Sequence, residues 1–116
     1  MDIESYRSYC LSKAGVTEEF PFDADTLVFK VKGKMFALAG IGNFDSINLK
    51  CDPEKAIELR EQYDAVSPGY HMNKNHWNTI AIDGSIPDTT LKEWIDHSYE
   101  LVVNGLSKKL RAELGY

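Results

Sequence analysis

The sequence predicts an α+β domain in which helices cover one face of an antiparallel sheet of about five strands, in the order α-β-β-β-α-β-β-α. Segments with apolar residues at helical spacing alternate with segments in which apolar and polar residues alternate, and glycine, proline and aspartate separate them. A chain of 116 residues with 43% hydrophobic and 27% charged residues suits one hydrophobic core. We therefore expect one domain over residues 1–116.

The first element is a predicted helix over residues 2–14. Tyr6 and Cys10 follow each other at helical spacing within it, and Gly15 is a typical helix stop. Residues 18–25, EEFPFDAD, are predicted to form a loop, and its two phenylalanines are expected to tuck into the edge of the core.

A β-hairpin is predicted for the next segment, TLVFKVKGKMFALAG, which alternates apolar and polar residues. A two-residue turn at 32–33 would place Phe29 opposite Phe36 and Leu27 opposite Leu38, and that register builds one apolar face. Lys-Gly is a weak sequence for a primed turn, so a longer loop is the alternative.

A third strand, SINLKC, is followed by a helix in the middle of the chain. The strand positions predicted to be buried are Ile47, Leu49 and Cys51. Asp52 and Pro53 begin the helix as N-cap and first-turn proline. The predicted inner face of this helix comprises Ala56, Leu59 and Tyr63.

The last part of the chain is predicted to contain two strands and a long helix. AVSPGYHM forms a short strand broken at 68–69, and WNTIAID forms the fifth strand, which ends at Gly84. Asp88 is predicted to cap the long helix, and the pair at 104–105 interrupts it before a further short helix. The inner face of the long helix is predicted to comprise Leu91, Trp94, Ile95, Ser98, Leu101 and Val102.

Several classes of protein are disfavoured by the composition. No apolar run approaches the ~18–20 residues that a membrane span needs, and the N-terminal MDIESYRSYC is unlike a signal peptide. Cys10 and Cys51 lack metal-ligand or redox spacing, so we expect reduced thiols in the core. We predict a cytoplasmic protein without cofactor, metal or membrane, and we favour a monomer.

Charge is distributed unevenly along the chain. The formal net charge of −5 opposes strong, non-specific binding to phosphates, yet residues 26–50 carry four lysines and one aspartate. On the predicted sheet, Lys30, Lys32 and Lys50 leave the core side, and Lys34 lies at the turn. Such a patch could bind phosphates or an acidic protein, or it could only prevent the open strands from pairing with other chains.

The segment SPGYHMNKNHWNT, residues 67–79, is dense in rings and hydrogen-bonding side chains. It could be a polar plug that satisfies the backbone of a loop, or a recognition surface for nucleotides, stacked bases or peptide groups. His71 and His76, five residues apart without nearby Cys or paired carboxylate, make a poor zinc signature. His97 is expected on the polar side of the last helix.

Four strings in this order resemble the MmcQ/YjbR family: FPFDADTLVFKVKGKMFAL, LKCDPEKAIELREQY, PGYHMNKNHWNTIAIDG and SYELVV. The resemblance covers nearly the whole chain. It implies a fold similar to the CyaY/frataxin group and a double-wing, DNA-binding-like domain, and it brings no catalytic residue set.

We therefore predict a non-enzymatic, cytoplasmic binding module with DNA or an acidic protein surface as its partner. The alternatives are a protein-interaction domain, or a small-ligand sensor or enzyme that uses the loop at 70–78. The candidate binding residues are Lys30, Lys32, Lys34, Lys50, Tyr70, His71, Asn73, Lys74 and His76.

Overall fold

A computed structural model describes residues 1–116 of the chain. It contains four helices and six strands. The helices are α1 Ile3–Leu11, α2 Pro53–Gln62, α3 Asp88–Asn104 and α4 Lys108–Glu113. The strands are β1 Val16–Glu19, β2 Thr26–Val31, β3 Lys34–Gly40, β4 Ser46–Lys50, β5 Val66–Pro68 and β6 Trp77–Ala81.

All six strands form one antiparallel sheet in the order β1-β2-β3-β4-β6-β5. One face of the sheet and the inner faces of α1, α2 and α3 share a cluster of 22 buried residues, so these helices cover that face. Tyr6 of α1 donates a hydrogen bond to the Leu38 carbonyl at 3.0 Å, and Ser98 of α3 donates one to the Phe36 carbonyl. Burial of each large apolar side chain in this cluster contributes roughly 1.5–3 kcal/mol.

The α+β class and the antiparallel sheet are confirmed, and so are several elements. Ile47, Leu49 and Cys51 are buried on alternate positions, as their pattern predicts. Asp52 caps α2, because its side chain accepts a hydrogen bond from the backbone N–H of Lys55 at 3.2 Å. These features depend on a few adjacent residues, and that is why the sequence alone predicts them.

The element order and the strand count need correction. The sheet has six strands, because β1 forms at residues 16–19 and partly overlaps the predicted loop at 18–25. α4 is the further short helix that the sequence predicts after residues 104–105, although the predicted element order leaves it out. β1 is a short edge strand that pairs Val16 with Val31 and Glu19 with Val28. Its residues VTEE carry too little apolar alternation for a strand to be predicted.

The starting point of α3 and the role of Asp88 also differ from the prediction. Pro87 occupies the N-cap position, and no side chain caps this helix. Asp88 is the first helical residue, and its carboxylate accepts a hydrogen bond from the Met1 amino group at 2.8 Å. A carboxylate in the first turn still interacts favourably with the helix dipole, so the preference for Asp here has a physical basis.

The β2–β3 hairpin has the predicted two-residue turn. Val31 pairs with Lys34, which leaves Lys32 and Gly33 as the connecting residues. Both have positive φ, 50° and 78°, as a type I′ turn requires. Lysine is unfavourable in this conformation, so the flanking strands impose it.

The predicted register of this hairpin is wrong by one residue. A β-bulge lies between Phe29 and Lys30 in the pairing, and the extra residue on β3 shifts all pairs beyond it. The observed pairs are Phe29 with Ala37 and Leu27 with Ala39. The bulge allows the adjacent residues Phe36 and Ala37 both to join the core under the helices. A strict alternation cannot predict this arrangement.

No helix is long and apolar enough to span a bilayer. The face of the sheet that the helices leave uncovered is called the open face below.

Candidate functional site

The open face has a small apolar centre of its own. Val28, Leu38 and Trp77 are buried there, and Met35 and Met72 pack against them. Met72 belongs to the loop between β5 and β6, which therefore folds over part of the open face. This centre supports two grooves, one on either side.

The first groove, called the polar groove, has a volume of about 460 Å³. This volume lies in the range of small-molecule sites, roughly 300–1,000 Å³. Its walls come from the loop before β2, from β2, β3 and β4, and from the loop after β5. The lining residues are Phe22, Asp23, Thr26, Leu38, Ala39, Gly40, Ser46, Asn48, Tyr70, His71 and Met72.

Aromatic rings stand at the rim of the polar groove. Phe22 and Tyr70 are 64% and 70% exposed, the largest values among the large hydrophobic residues. Tyr70 also contacts His71, with ring centroids 4.0 Å apart. His71 has a φ of 57°, which is uncommon outside glycine and is found in turns and at functional sites.

A directed chain of hydrogen bonds connects the rim to the floor of the polar groove. The backbone N–H of Tyr70 donates to Thr79 Oγ1 at 2.9 Å. Thr79 Oγ1 donates in turn to Asn48 Oδ1 at 2.5 Å. The loop that carries Tyr70 is thereby fixed to two central strands of the sheet.

Asp23 places a negative charge at one side of the polar groove. The backbone N–H groups of Asp25 and Thr26 donate to its carboxylate and hold the pKa of Asp23 below its ordinary value. The Thr26 hydroxyl donates a further hydrogen bond to the same carboxylate. Asp23 is therefore ionised at neutral pH, and its carboxylate oxygens already accept hydrogen bonds from residues of its own loop.

The second groove, called the basic groove, has a volume of about 470 Å³ and shares Phe22 with the polar groove. Its lining residues are Pro21, Phe22, Lys30, Gly33, Lys34, Met35, Lys50 and Trp77. Phe22 thus lies between the two grooves. The sequence predicted Phe20 and Phe22 at the edge of the core, and that prediction is wrong, because they are 47% and 64% exposed.

The structure brings three of the candidate lysines together in the basic groove: Lys30, Lys34 and Lys50. Lys30 forms an ion pair with Glu19 at 2.6 Å, whereas Lys34 and Lys50 form none. Lys32 points elsewhere and pairs with Glu113 of α4 at 3.0 Å. The predicted patch is therefore formed without Lys32.

The segment 67–79 divides into a buried and an exposed part. Asn78 is 1% exposed; it accepts a hydrogen bond from Arg60 Nε at 2.7 Å and donates one to the Ala56 carbonyl at 3.3 Å. The Arg60 guanidinium also donates to the carbonyls of Lys74 and Trp77. The plug interpretation thus applies to Asn78, with an arginine partner on α2 that the sequence did not reveal.

Only some of the exposed candidate residues of this segment line a groove. Tyr70 and His71 line the polar groove. Asn73, Lys74 and His76 are exposed and line neither groove. Asn73 accepts a hydrogen bond from the backbone N–H of Asn75, and Lys74 donates one to the Gly69 carbonyl.

The remaining titratable candidates lie under the helices. His97 is half-buried, and its Nε2 accepts the backbone N–H of Asp52 at 3.3 Å; burial lowers the pKa of His97. Its predicted position on the polar side of α3 is therefore wrong. Burial raises the pKa of Cys10 to about 12 and that of Cys51 to about 11, so neither thiol is an activated nucleophile. No three His, Cys, Asp or Glu residues lie close enough to hold a metal ion.

Comparison with known proteins places this chain in a family. The family model YjbR matches residues 11–101. The chain belongs to the YjbR family. It is 36% identical to the protein YjbR of Escherichia coli K12 over 112 residues, which cover 96% of this chain and 95% of the relative. It is 40% identical to YbdF of Escherichia coli O157:H7 over 78% of this chain and 75% of that one.

Solved structures support the same fold. The crystal structure of Deinococcus radiodurans protein DR2400, with family-model domain DUF419, is similar at a TM-score of 0.92 and 42% identity. That similarity covers 98% of this chain and 88% of the other chain. A crystal structure from Pseudomonas syringae matches at a TM-score of 0.73 and 28% identity, over 87% and 98% of the two chains. The E. coli relatives are described as uncharacterized proteins, so family membership brings no activity with it.

Proposed function

We propose that this chain is a binding module whose open face holds a short single-stranded segment of nucleic acid. The observation that carries the proposal is the pair of neighbouring grooves that share Phe22. One groove presents lysines, and the other presents rings and the amide side chain of Asn48. Backbone phosphates would lie in the basic groove and bases in the polar groove.

Exposed aromatic rings are a common platform for unpaired bases, and here they lie in the loops beside the open face. Phe22 and Tyr70 are largely exposed, although an apolar ring of this size usually stabilises a fold by being buried. Stacking on such rings contributes ~1–3 kcal/mol per base and tolerates every base. Binding of bases would bury both rings, and this role accounts for their exposure in the unbound protein.

The lysines supply the electrostatic part of binding. Lys34 and Lys50 have no carboxylate partner, and the Lys30 pair with Glu19 lies near the surface, where such a pair contributes only ~0–1 kcal/mol. A phosphate can therefore displace Glu19 at small cost. The acidic residues of the distant helices matter little, because charges are screened beyond ~8–10 Å at physiological ionic strength.

A single strand fits this face better than a duplex does. Duplex recognition places a helix or a two-stranded ribbon in the major groove, whereas the helices here cover the opposite face of the sheet. A concave surface with rings suits a chain whose bases can turn outward. The fold similarity to the CyaY/frataxin group, implied by the family resemblance, stays a prediction.

A protein-interaction domain is the rival function. An acidic peptide could use the same lysines, but it would not need two exposed rings beside the polar groove. An enzyme using the loop at 70–78 would need a nucleophile beside a base. Neither His71 nor His76 forms a side-chain hydrogen bond that could activate one, so binding is the better-supported proposal.

Fluorescence anisotropy with a labelled single strand of about 12 nucleotides tests the proposal. Replacing Phe22 or Tyr70 with alanine should each weaken binding by about 5- to 150-fold, which corresponds to the loss of one stacked base. Tyr116→Ala is the matched control, because Tyr116 is 56% exposed beside α3 and lines neither groove. A wild-type protein that does not bind, or variants that bind as the wild type does, would contradict the proposal.

A further inference from the structure

We propose that Glu19 sets the affinity of the basic groove, because its carboxylate competes with a strand phosphate for Lys30. This inference rests on the proposed single-strand function and concerns the regulation of that same site. The observation behind it is one ion pair, in which a carboxylate oxygen of Glu19 lies 2.6 Å from Lys30 Nζ.

The pairing of β1 with β2 places Glu19 on the open face. Glu19 lies opposite Val28, which belongs to the apolar centre of that face. Lys30 is two residues beyond Val28, so it lies on the same face as a diagonal neighbour that a long side chain can reach. Glu18 lies on the covered face, where it accepts hydrogen bonds from Arg7 of α1. The two adjacent glutamates thus have separate partners on opposite faces of the sheet.

Glu19 is the one carboxylate that forms an ion pair with a lysine of the basic groove. Lys34 and Lys50 line the groove without an ion pair, and Lys30 lines it while it is paired with Glu19. The unbound groove therefore offers two uncompensated positive charges. A third becomes available only when Glu19 releases Lys30.

A phosphate and the Glu19 carboxylate would compete for Lys30. Both are anionic acceptors for a lysine ammonium group. The three hydrogens of Lys30 Nζ could contact both anions, but this would bring two negative charges close together, which costs free energy. The Glu19 side chain is 43% exposed, so water can hydrate the displaced carboxylate. Glu19 therefore lowers the affinity for a strand without blocking the groove.

Fluorescence anisotropy with labelled oligo-dT tests this competition at about 0.1 M salt, where exposed charges are screened beyond ~10 Å. Glu19→Gln removes the charge and keeps the size of the side chain. The variant should bind about 2- to 5-fold more tightly than the wild type, which is the effect of one surface ion pair. Glu18→Gln is the matched control, because it removes the same charge from the adjacent residue on the covered face, and it should bind as the wild type does.

A Lys30→Gln background separates competition for Lys30 from a general repulsion of phosphates. In this background Glu19→Gln has no ion pair to break and can only remove a repulsive charge, so its gain in affinity should be smaller. An equal gain in both backgrounds would overturn the competition, because Glu19 would then act through its charge alone. Melting temperatures show whether each variant is folded.

The outcomes also distinguish this inference from the proposed function. Wild-type binding that depends on Phe22 and Tyr70, with no tighter binding by Glu19→Gln than by Glu18→Gln, would overturn the competition and leave the proposed function standing. Absence of oligo-dT binding by both the wild type and Glu19→Gln would overturn both. A gain in affinity for a polyglutamate peptide and not for oligo-dT would assign the groove to an acidic protein and would also contradict both.

Discussion

Replacing Asn78 with alanine should destabilise the fold by about 2–4.5 kcal/mol. Asn78 is 1% exposed and connects β6 to α2 through two hydrogen bonds. The bond from the charged Arg60 guanidinium, at 2.7 Å, contributes ~1.5–3 kcal/mol, and the bond to the Ala56 carbonyl, at 3.3 Å, contributes ~0.5–1.5 kcal/mol. This loss is a large part of a total stability of ~5–15 kcal/mol.

The matched control for this prediction is Asn73→Ala in the same segment. Asn73 is exposed, and its side chain only accepts a hydrogen bond from the nearby Asn75 N–H, so the change should stay within ~0.5 kcal/mol. Urea denaturation followed by tryptophan fluorescence measures both free energies of unfolding. If Asn73→Ala destabilised the protein as much as Asn78→Ala, the division of residues 67–79 into a buried anchor and an exposed loop would be wrong.

Three further predictions concern the turn and the titratable groups. Gly33→Ala should destabilise the protein by ~1 kcal/mol or more in urea denaturation, because φ at this position is 78°, whereas Gly42→Ala, in open space, should be nearly neutral. The raised pKa values of Cys10 and Cys51, about 12 and about 11, mean that the unfolded chain ionises its thiols first. Stability should fall as the pH rises above ~8.5, and Ellman's reagent at about pH 8 should react only after denaturation; rapid reaction of the native protein would contradict the burial of the thiols. A hydrogen bond from the Arg7 guanidinium holds the pKa of Glu18 below its ordinary value, so the contribution of Glu18 is present above the unfolded pKa and is lost as the pH falls through the folded pKa; Glu18→Gln should destabilise slightly at about pH 7 and less at about pH 3.

The sequence predicts those parts of the fold that depend on adjacent residues. The alternation in SINLKC identifies β4, the Asp52 cap identifies α2, and the pair at 32–33 identifies the hairpin turn. Each of these signals lies within about six residues. The sheet face that carries Lys30 and Lys50 also follows from alternation, and the structure brings both lysines into one groove.

The features that the sequence did not predict depend mostly on contacts between residues far apart in the chain. The polar groove joins a loop near Phe22 with a loop near Tyr70, and the Arg60–Asn78 hydrogen bond crosses 18 positions. The bulge beside Phe29 inserts one residue and shifts the predicted pairing beyond it by one position. One sequence signal could have predicted part of the polar groove. The alternation in SINLKC that places Lys50 on the open face also places Asn48 there, and Asn48 lines the polar groove.

The most direct test of the proposed function is the salt dependence of binding to oligo-dT. Each phosphate contact on a single strand contributes about −0.7 to the slope of log affinity against log salt. Removing the two unpaired lysines of the basic groove, in Lys34→Gln/Lys50→Gln, should therefore weaken binding at low salt and flatten the slope by about 1.4.

The control Lys108→Gln/Lys109→Gln removes the same charge from α4, away from both grooves, and should leave the slope unchanged. This combination of results is what the account predicts. A wild-type slope that persists in Lys34→Gln/Lys50→Gln, or an equal change in the α4 variant, would contradict the open face as a nucleic-acid site.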